Sequence, residues 1–193
     1  MKMTENLLAQ LTNTAAILDA TYETIATLEP NYGEERTSYH ESLQVLTQAI
    51  PCAEDYILAL RQELASDLRY AIWLGFRWNL DCFHSPVNKL MLDLDFEELF
   101  QENRMHTLPD AQASLQKAQT FAHSLPEESR ELLDPISDHY AYLKTWGYKL
   151  AFCEGFRLAD NLLPLLVPGY TPDAILSMRL EQKLYDSLGI AAA

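Results

Sequence analysis

The chain has 193 residues, a length that fits one domain or at most two small ones, and we predict a single helical domain over 1–193. It contains 33 Leu and 21 Ala but only 11 Val and Ile together and 6 Gly. Sheets favour β-branched residues and their turns need Gly, so this composition argues against a strand-rich fold. The net charge of −14 opposes direct binding to nucleic acid or to an anionic membrane surface.

Apolar residues that recur at three- and four-residue steps predict three long helices as the frame of the fold. The first is expected over about 4–28, with Thr4 as its N-cap. The second is expected over 53–83 and the third over 136–163, where Pro164 would end it.

Proline, glycine and capping residues divide the rest of the chain into shorter helices. Together with the three long ones they predict an all-α bundle of about six to seven helices. The shorter helices are expected at 34–50, near 96–103, from 108 to 123, from an N-cap at Ser124, and from a cap at Thr171 with Pro172 behind it to Gly189.

One pattern occurs twice at a spacing of eighty residues. The segments 71–77 and 151–157 both read Ala-apolar-x-x-Gly-Phe-Arg, and each lies late in a predicted long helix. Gly lowers helix stability by roughly 1 kcal/mol relative to Ala, so two mid-helix glycines indicate close approach of another helix. We expect Gly75 and Gly155 at tight helix crossings. The echo is open to two interpretations, convergent packing or a degenerate two-fold repeat.

The second copy, Gly155-Phe156-Arg157-Leu158-Ala159 followed by Asn161-Leu162-Leu163, resembles a terminal-helix signature. Small all-helical bacterial and phage-type proteins with no established activity carry such segments. The resemblance covers about twenty residues. It implies a helical fold and brings no catalytic residue with it.

Arg77 and Arg157 end these two apolar stretches, where burial is expected. A buried arginine needs a carboxylate or an anionic ligand, because an unpaired buried charge is very costly. One interpretation is internal ion pairing, with Asp81 for Arg77 and with Glu154 or Asp160 for Arg157. The other is a pocket for a small anion or a carboxylated metabolite, lined by Arg77, Arg157, Trp73, Trp78 and Tyr148.

Glu98, Glu102 and His106 follow one another at four-residue steps and would share one face of a helix. Carboxylates and an imidazole on one face are weak candidates for metal ligands. Di-iron bundles, however, need Glu-x-x-His twice on facing helices, and this sequence contains no such motif. We therefore predict no metal and no cofactor.

The remaining reactive residue types give no catalytic pattern. None of the five His residues forms a recognisable nucleophile motif with Ser or Cys, so we predict no catalytic residue. Cys52, Cys82 and Cys153 are odd in number, form no Cys-x-x-Cys and lie in apolar helical contexts. These features indicate reduced, buried thiols and a cytoplasmic protein.

The sequence therefore favours a non-enzymatic interaction or regulatory protein, and the resemblance implies a link to phage. Its partner would be another protein or a second copy of the chain, because amphipathic helices rich in Tyr and Trp readily form interfaces. Two alternatives stay open. One is a helical ligand-binding protein or enzyme with a pocket near the two Gly-Phe-Arg segments, and the other is an acidic mimic of nucleic acid.

Overall fold

A computed structural model describes residues 13–84, 96 and 108–190. Every regular element in this part of the chain is a helix, which confirms the all-α prediction. Six helices have fifteen residues or more and one has four. In chain order they are α1 (Thr14–Leu28), α2 (Tyr32–Ala49), α3 (Ala53–His84), α4 (Pro109–Ser124), α5 (Glu127–Arg130) and, after a 3-10 turn at Glu131–Leu133, α6 (Asp134–Leu166) and α7 (Ala174–Leu188).

Helix α1 begins at Thr14, where the sequence predicts the interior of a longer helix. Asn13 has extended backbone, and its side-chain oxygen accepts hydrogen bonds from the N–H groups of Ala15 (3.0 Å) and Ala16 (3.4 Å). Asn favours such local bonds over a position inside a helix, so it caps a new helix here. The prediction of one continuous helix over 4–28 is therefore wrong at Asn13. Its first residues, 4–12, lie outside the described part of the chain.

Helix α6 contains two prolines without being interrupted. Pro135 is its second residue, where a backbone N–H has no partner within the helix. Pro164 lies in the last turn, and the N–H of Val167 bonds to the carbonyl of Leu163 at 2.8 Å. The predicted end at Leu163 is therefore wrong, because a proline so close to the end does not prevent the final turn from closing.

Two predicted helix starts are also wrong. Ser124 donates its hydroxyl proton to the carbonyl of Phe121 at 2.6 Å, so it closes α4 rather than starting α5. Asp173, not Thr171, caps α7, because its carboxylate accepts from two backbone N–H groups of the first turn at 3.2 Å. The predicted stop at Gly189 is confirmed, with a left-handed φ of 70°. Of the helix predicted near 96–103, only Phe96 is described, and it is helical.

The chain divides into two compact units. Unit 1 comprises Met1–Asp67 and His106–Trp146, and unit 2 comprises Leu68–Met105 and Gly147–Ala193. The boundaries fall inside α3 and α6, so each unit includes one part of each long helix. The single-domain organisation stays a prediction.

In unit 1 the segments of α3 and α6 run parallel. The hydroxyl groups of Tyr56 and Ser137 lie 2.7 Å apart, and Lys144 donates to the carboxylate of Glu63 at 2.5 Å. Both pairs are separated by 81 residues, which is the constant offset that parallel helices produce. The core of this unit is rich in aliphatic and tyrosine side chains, among them Leu18, Ile25, Tyr32, Leu46, Leu64, Ile136, Tyr140 and Leu143.

In unit 2 the two long helices touch through their backbones at the predicted glycines. A Cβ atom added to Gly75 would lie 1.9 Å from the carbonyl oxygen of Phe152. One added to Gly155 would lie 1.8 Å from the carbonyl oxygen of Ile72. Neither distance leaves room for a methyl group, so the prediction of tight crossings is confirmed.

The two contacts are reciprocal. Each glycine packs on the carbonyl of the residue three positions before the other glycine, and Ile72 and Phe152 are themselves eighty residues apart. The crossing thus has local two-fold symmetry with the same offset as the Gly-Phe-Arg echo. Convergent packing and a degenerate repeat would both produce this symmetry, and the repeat stays a prediction.

Replacing Gly75 or Gly155 by Ala should destabilise the protein. The propensity gain of about 1 kcal/mol is smaller than the overpacking cost, which is typically about 1–3 kcal/mol and is high here because the obstacle is backbone. Gly33→Ala is the matched control. Gly33 also lies in a helix but has no atom within 4 Å of an added Cβ, so its substitution should be neutral or stabilising. Urea denaturation of the three variants measures the difference, and a stabilising Gly75→Ala would contradict the crossing.

Candidate functional site

Arg77 lies on the surface of α3 rather than in the core. Its side chain is 58% exposed, its guanidinium lies 5.4 Å from the ring centre of Trp73, and its Nε lies 3.5 Å from the carboxylate of Asp81. The expected ion pair with Asp81 is present, but the expected burial is wrong. The expectation was drawn from the apolar residues that precede Arg77. Burial of those residues does not determine the direction of the arginine side chain.

Arg157 is likewise half exposed, at 47%, and bridges two helices of unit 2. It donates to Glu154 on its own helix at 2.7 Å and to Glu181 on α7 at 2.9 Å. Although burial opposes the charged form, these two carboxylates raise the pKa of Arg157 above its usual value. Pairing with Glu154 was expected from the spacing, whereas Glu181 is 24 residues away and gave no local signal.

The other three residues of the predicted anion pocket have different surroundings. Trp73 is 48% exposed and stacks on Tyr70, with ring centres 5.4 Å apart. Trp78 is half-buried and lies edge-on to Phe152, and Tyr148 is buried. Both arginines already bind carboxylates of this chain. The anion pocket stays a prediction.

A cluster of hydrogen-bonded polar side chains lies just beyond the glycine crossing in unit 2. Asn79 donates through Nδ2 to the carbonyl of Phe156 and to the carboxylate of Asp160, both at 2.9 Å. The hydroxyl of Tyr170 lies 2.5 Å from Oδ1 of Asn79 and 2.8 Å from Asp160. Ser177 donates to the second carboxylate oxygen of Asp160 at 2.8 Å. Asp160 therefore joins α3, α6, α7 and the segment that connects α6 to α7.

The electrostatics of this cluster keep Tyr170 protonated. Burial, together with the hydrogen bond and the negative charge of Asp160, raises the pKa of Tyr170.

A cavity of about 20 Å³ lies beside the cluster and is lined by Asn79, Asp160 and Tyr170 among others. This volume has room for one water molecule. The arrangement can therefore hold helices together through a satisfied polar network, and it is too small to enclose a metabolite. The one feature of the sequence that could have indicated this cluster was Asn79, a polar residue on the apolar stripe of α3.

A buried histidine lies in unit 1 between α2 and α6. His139 is 3% exposed, its Nδ1 lies 3.1 Å from the carboxylate of Glu35, and its ring stacks on Tyr39 with centres 4.0 Å apart. Burial lowers the pKa of His139, and Glu35 opposes that shift in part. Glu35 and Tyr39 both lie on α2, so their contacts with His139 orient α2 on α6. Sequence reasoning missed the pair because Glu35 and His139 are 104 residues apart.

Carboxylates within α3 do not form a metal centre. Glu63 and Asp67 are both buried, and Lys144 neutralises Glu63. Within residues 13–84 and 108–190, no group of three or more His, Cys, Asp and Glu side chains is arranged to hold a metal ion. The weak candidates Glu98, Glu102 and His106 lie outside the described residues, and the expectation of no metal stays a prediction.

The cysteines differ in exposure. Cys82 and Cys153 are buried, as expected, and burial raises the pKa of Cys153 to about 12. Cys52 is exposed, so the expectation that it is buried is wrong. It lies in the turn after Pro51, before α3 begins, and the packing of that helix does not cover it.

No protein-family model matches the chain, and neither a curated protein nor a solved structure matches it significantly. The resemblance to phage-type helical proteins therefore stays a prediction. In the described part of the chain, no helix combines the length and the apolar character needed to cross a membrane.

Thiol labelling of the native protein should separate the three cysteines. One equivalent should react fast at Cys52, and two should react only after denaturant is added, because Cys82 and Cys153 are buried and burial also raises the pKa of Cys153 to about 12. Cys52→Ser should abolish the fast phase and leave the slow one. Fast labelling that persists in Cys52→Ser would show that a second thiol is accessible.

Acid should weaken unit 1 through His139. Since folding lowers the pKa of His139 below 6.5, the unfolded chain binds the proton more readily. The contribution of this group to stability is therefore present above pH 6.5 and is lost as the pH falls through the folded-state pKa. The slope can reach about 1.4 kcal/mol per pH unit.

Urea denaturation between about pH 7.5 and about pH 5 measures this slope. His139→Gln should have a shallower pH dependence than the natural chain. His123→Gln, which changes an exposed histidine, should keep the full slope. Equal slopes in His139→Gln and the natural chain would assign the acid sensitivity to other groups.

Proposed function

We propose that this chain is a non-enzymatic helical interaction protein that binds another protein molecule through the junction of α6 and α7. One observation carries the proposal: the most exposed large apolar side chains of the described residues are concentrated there. They are Leu165 (77% exposed), Leu166 (69%), Met178 (65%) and Ile175 (61%). We call these four residues the junction patch.

The residues of the junction patch lie closer together in the sequence, and their side chains are more exposed, than the other exposed apolar residues. Its four members fall within fourteen residues of the chain. The other three, Val45, Leu58 and Trp73, are scattered and are 48–53% exposed. Single exposed apolar residues are ordinary, whereas a concentration of them is typical of interfaces.

The charge distribution supports the same surface. Residues 161–180 contain one acidic and one basic residue, Asp173 and Arg179, in a chain of net charge −14. Counted over the whole sequence, unit 1 has 17 acidic and 6 basic residues, and unit 2 has 11 and 8. The core of protein interfaces is depleted in charged residues, and the junction patch lies in such a segment.

The alternative of a small-molecule site near the Gly-Phe-Arg segments has less support. Arg77 and Arg157 are exposed and already bind carboxylates, and the cavity beside Tyr170 has room for one water. We further propose a cytoplasmic location. Three free cysteines, two of them buried as thiols, suit a reducing compartment.

Site-specific photo-cross-linking tests the proposal. A photo-reactive amino acid in place of Leu166 should give a covalent protein adduct in cells that express the chain. The matched control has the same amino acid in place of Leu58, which is 53% exposed on α3 and outside the patch, and it should give none. The adduct should be lost when Met178→Asp is added, because a charge inside the apolar contact weakens it. No adduct at Leu166, or equal adducts at both positions, would refute the proposed surface.

A further inference from the structure

Helix α7 has two opposite faces, and only one faces the core of its unit. Its buried face consists of Leu176, Leu180 and Leu184, which follow at four-residue steps. At 100° per residue, a second set of residues lies on the opposite side and is exposed. This set, which we call the outer stripe, consists of Ile175, Met178, Arg179, Gln182 and Asp186.

The outer stripe carries two opposite charges with no ion-pair partner among the described residues. Arg179 lies in the middle of the stripe and Asp186 at its C-terminal end, where the carboxylate of Asp186 accepts a hydrogen bond from the side chain of Gln182 at 2.9 Å. Seven residues separate the two charges, which is two turns, or about 10.5 Å along the axis. Side chains two turns apart do not pair with each other, so both charges remain available to a partner.

This arrangement is self-complementary. When two copies of α7 lie antiparallel across a two-fold axis near Gln182, Arg179 of each copy faces Asp186 of the other. Ile175 and Met178 then supply apolar contact at both ends of the pairing. A two-fold interface needs such a stripe, because each residue must find its complement on an identical surface.

We infer that the partner bound at this surface is a second copy of the chain, paired antiparallel through the outer stripe. The inference rests on the proposed function, since Ile175 and Met178 belong to the junction patch. Charge favours a second copy over a basic protein. Two copies with a net charge of −14 each repel one another where their acidic surfaces meet. This repulsion is smallest at unit 2, which contains α7, because unit 2 has a net charge of −3 and unit 1 has a net charge of −11. A basic partner would be drawn to unit 1 instead.

Sedimentation equilibrium of the full chain tests the inference through a charge swap. The natural chain should show a concentration-dependent monomer–dimer equilibrium. Arg179→Asp and Asp186→Arg should each raise the dimer dissociation constant by about tenfold or more, because each places like charges opposite one another twice. The double variant Arg179→Asp/Asp186→Arg should return to within about threefold of the natural value.

The two single variants also exclude a general charge effect. Arg179→Asp makes the chain more negative and Asp186→Arg makes it less negative, so general repulsion would shift dimerisation in opposite directions. Specific pairing weakens the dimer in both. Arg36→Asp on α2 is the control for added negative charge, and it should leave the dimer within about twofold. Circular dichroism should show the same helicity in all variants.

A natural chain that stays monomeric at every concentration, or a double variant that does not regain dimerisation, overturns the inference. The adduct at Leu166 then tells the two proposals apart. An adduct with the mass of two chains supports the second copy. An adduct with a different protein overturns the second copy and leaves the proposed function standing, and no adduct overturns both.

Discussion

The close backbone approach of α3 and α6 at Gly75 and Gly155 determines the rest of unit 2. Because no side chain stands between the two helices at this point, the residues one turn further along come within hydrogen-bond distance. Asn79 reaches the carbonyl of Phe156 and the carboxylate of Asp160 there. A methyl group at either glycine would push the helices apart and would lengthen these bonds together with the packing contacts.

The polar cluster arises where the sequences that follow the two Gly-Phe-Arg segments differ. With the eighty-residue offset, Asn79 corresponds to Ala159 and Asp160 corresponds to Leu80. A symmetric pair of Ala or Leu residues would have given an apolar contact. The observed pair instead gives one donor and one acceptor facing each other, and Tyr170 and Ser177 complete the carboxylate's hydrogen bonds. A buried polar network of this kind is stabilising only when its members are satisfied, so the asymmetry and the added partners depend on each other.

The periodic pattern of the sequence was enough to predict the positions of the helices and the glycine crossing. It was not enough to predict contacts between side chains that are far apart in the sequence. Apolar periodicity located α3 to within one residue, and the cost of Gly inside a helix indicated the crossing. The caps at Asn13 and Asp173 were missed because several neighbouring polar residues could have capped equally well. Arg77 was expected in the core, yet a flanking apolar run does not fix the direction of a long side chain. The contacts of His139 and Asp160 join residues far apart in sequence, so no local pattern could reveal them.

Helix α7 is fixed in place by contacts that do not involve its outer stripe. Ser177 bonds to Asp160, Glu181 binds Arg157, and Lys149 donates to the carbonyl of Ser187 at 3.0 Å. These three polar contacts are distributed along nearly the whole of α7, and each of them is made with a residue of α6. Together with the buried leucines they hold α7 in one orientation without using the outer stripe. A surface that is already ordered loses little conformational entropy on binding, so even a modest apolar contact can yield measurable affinity. The polar ties that look purely structural therefore also prepare the surface through which we propose the chain associates.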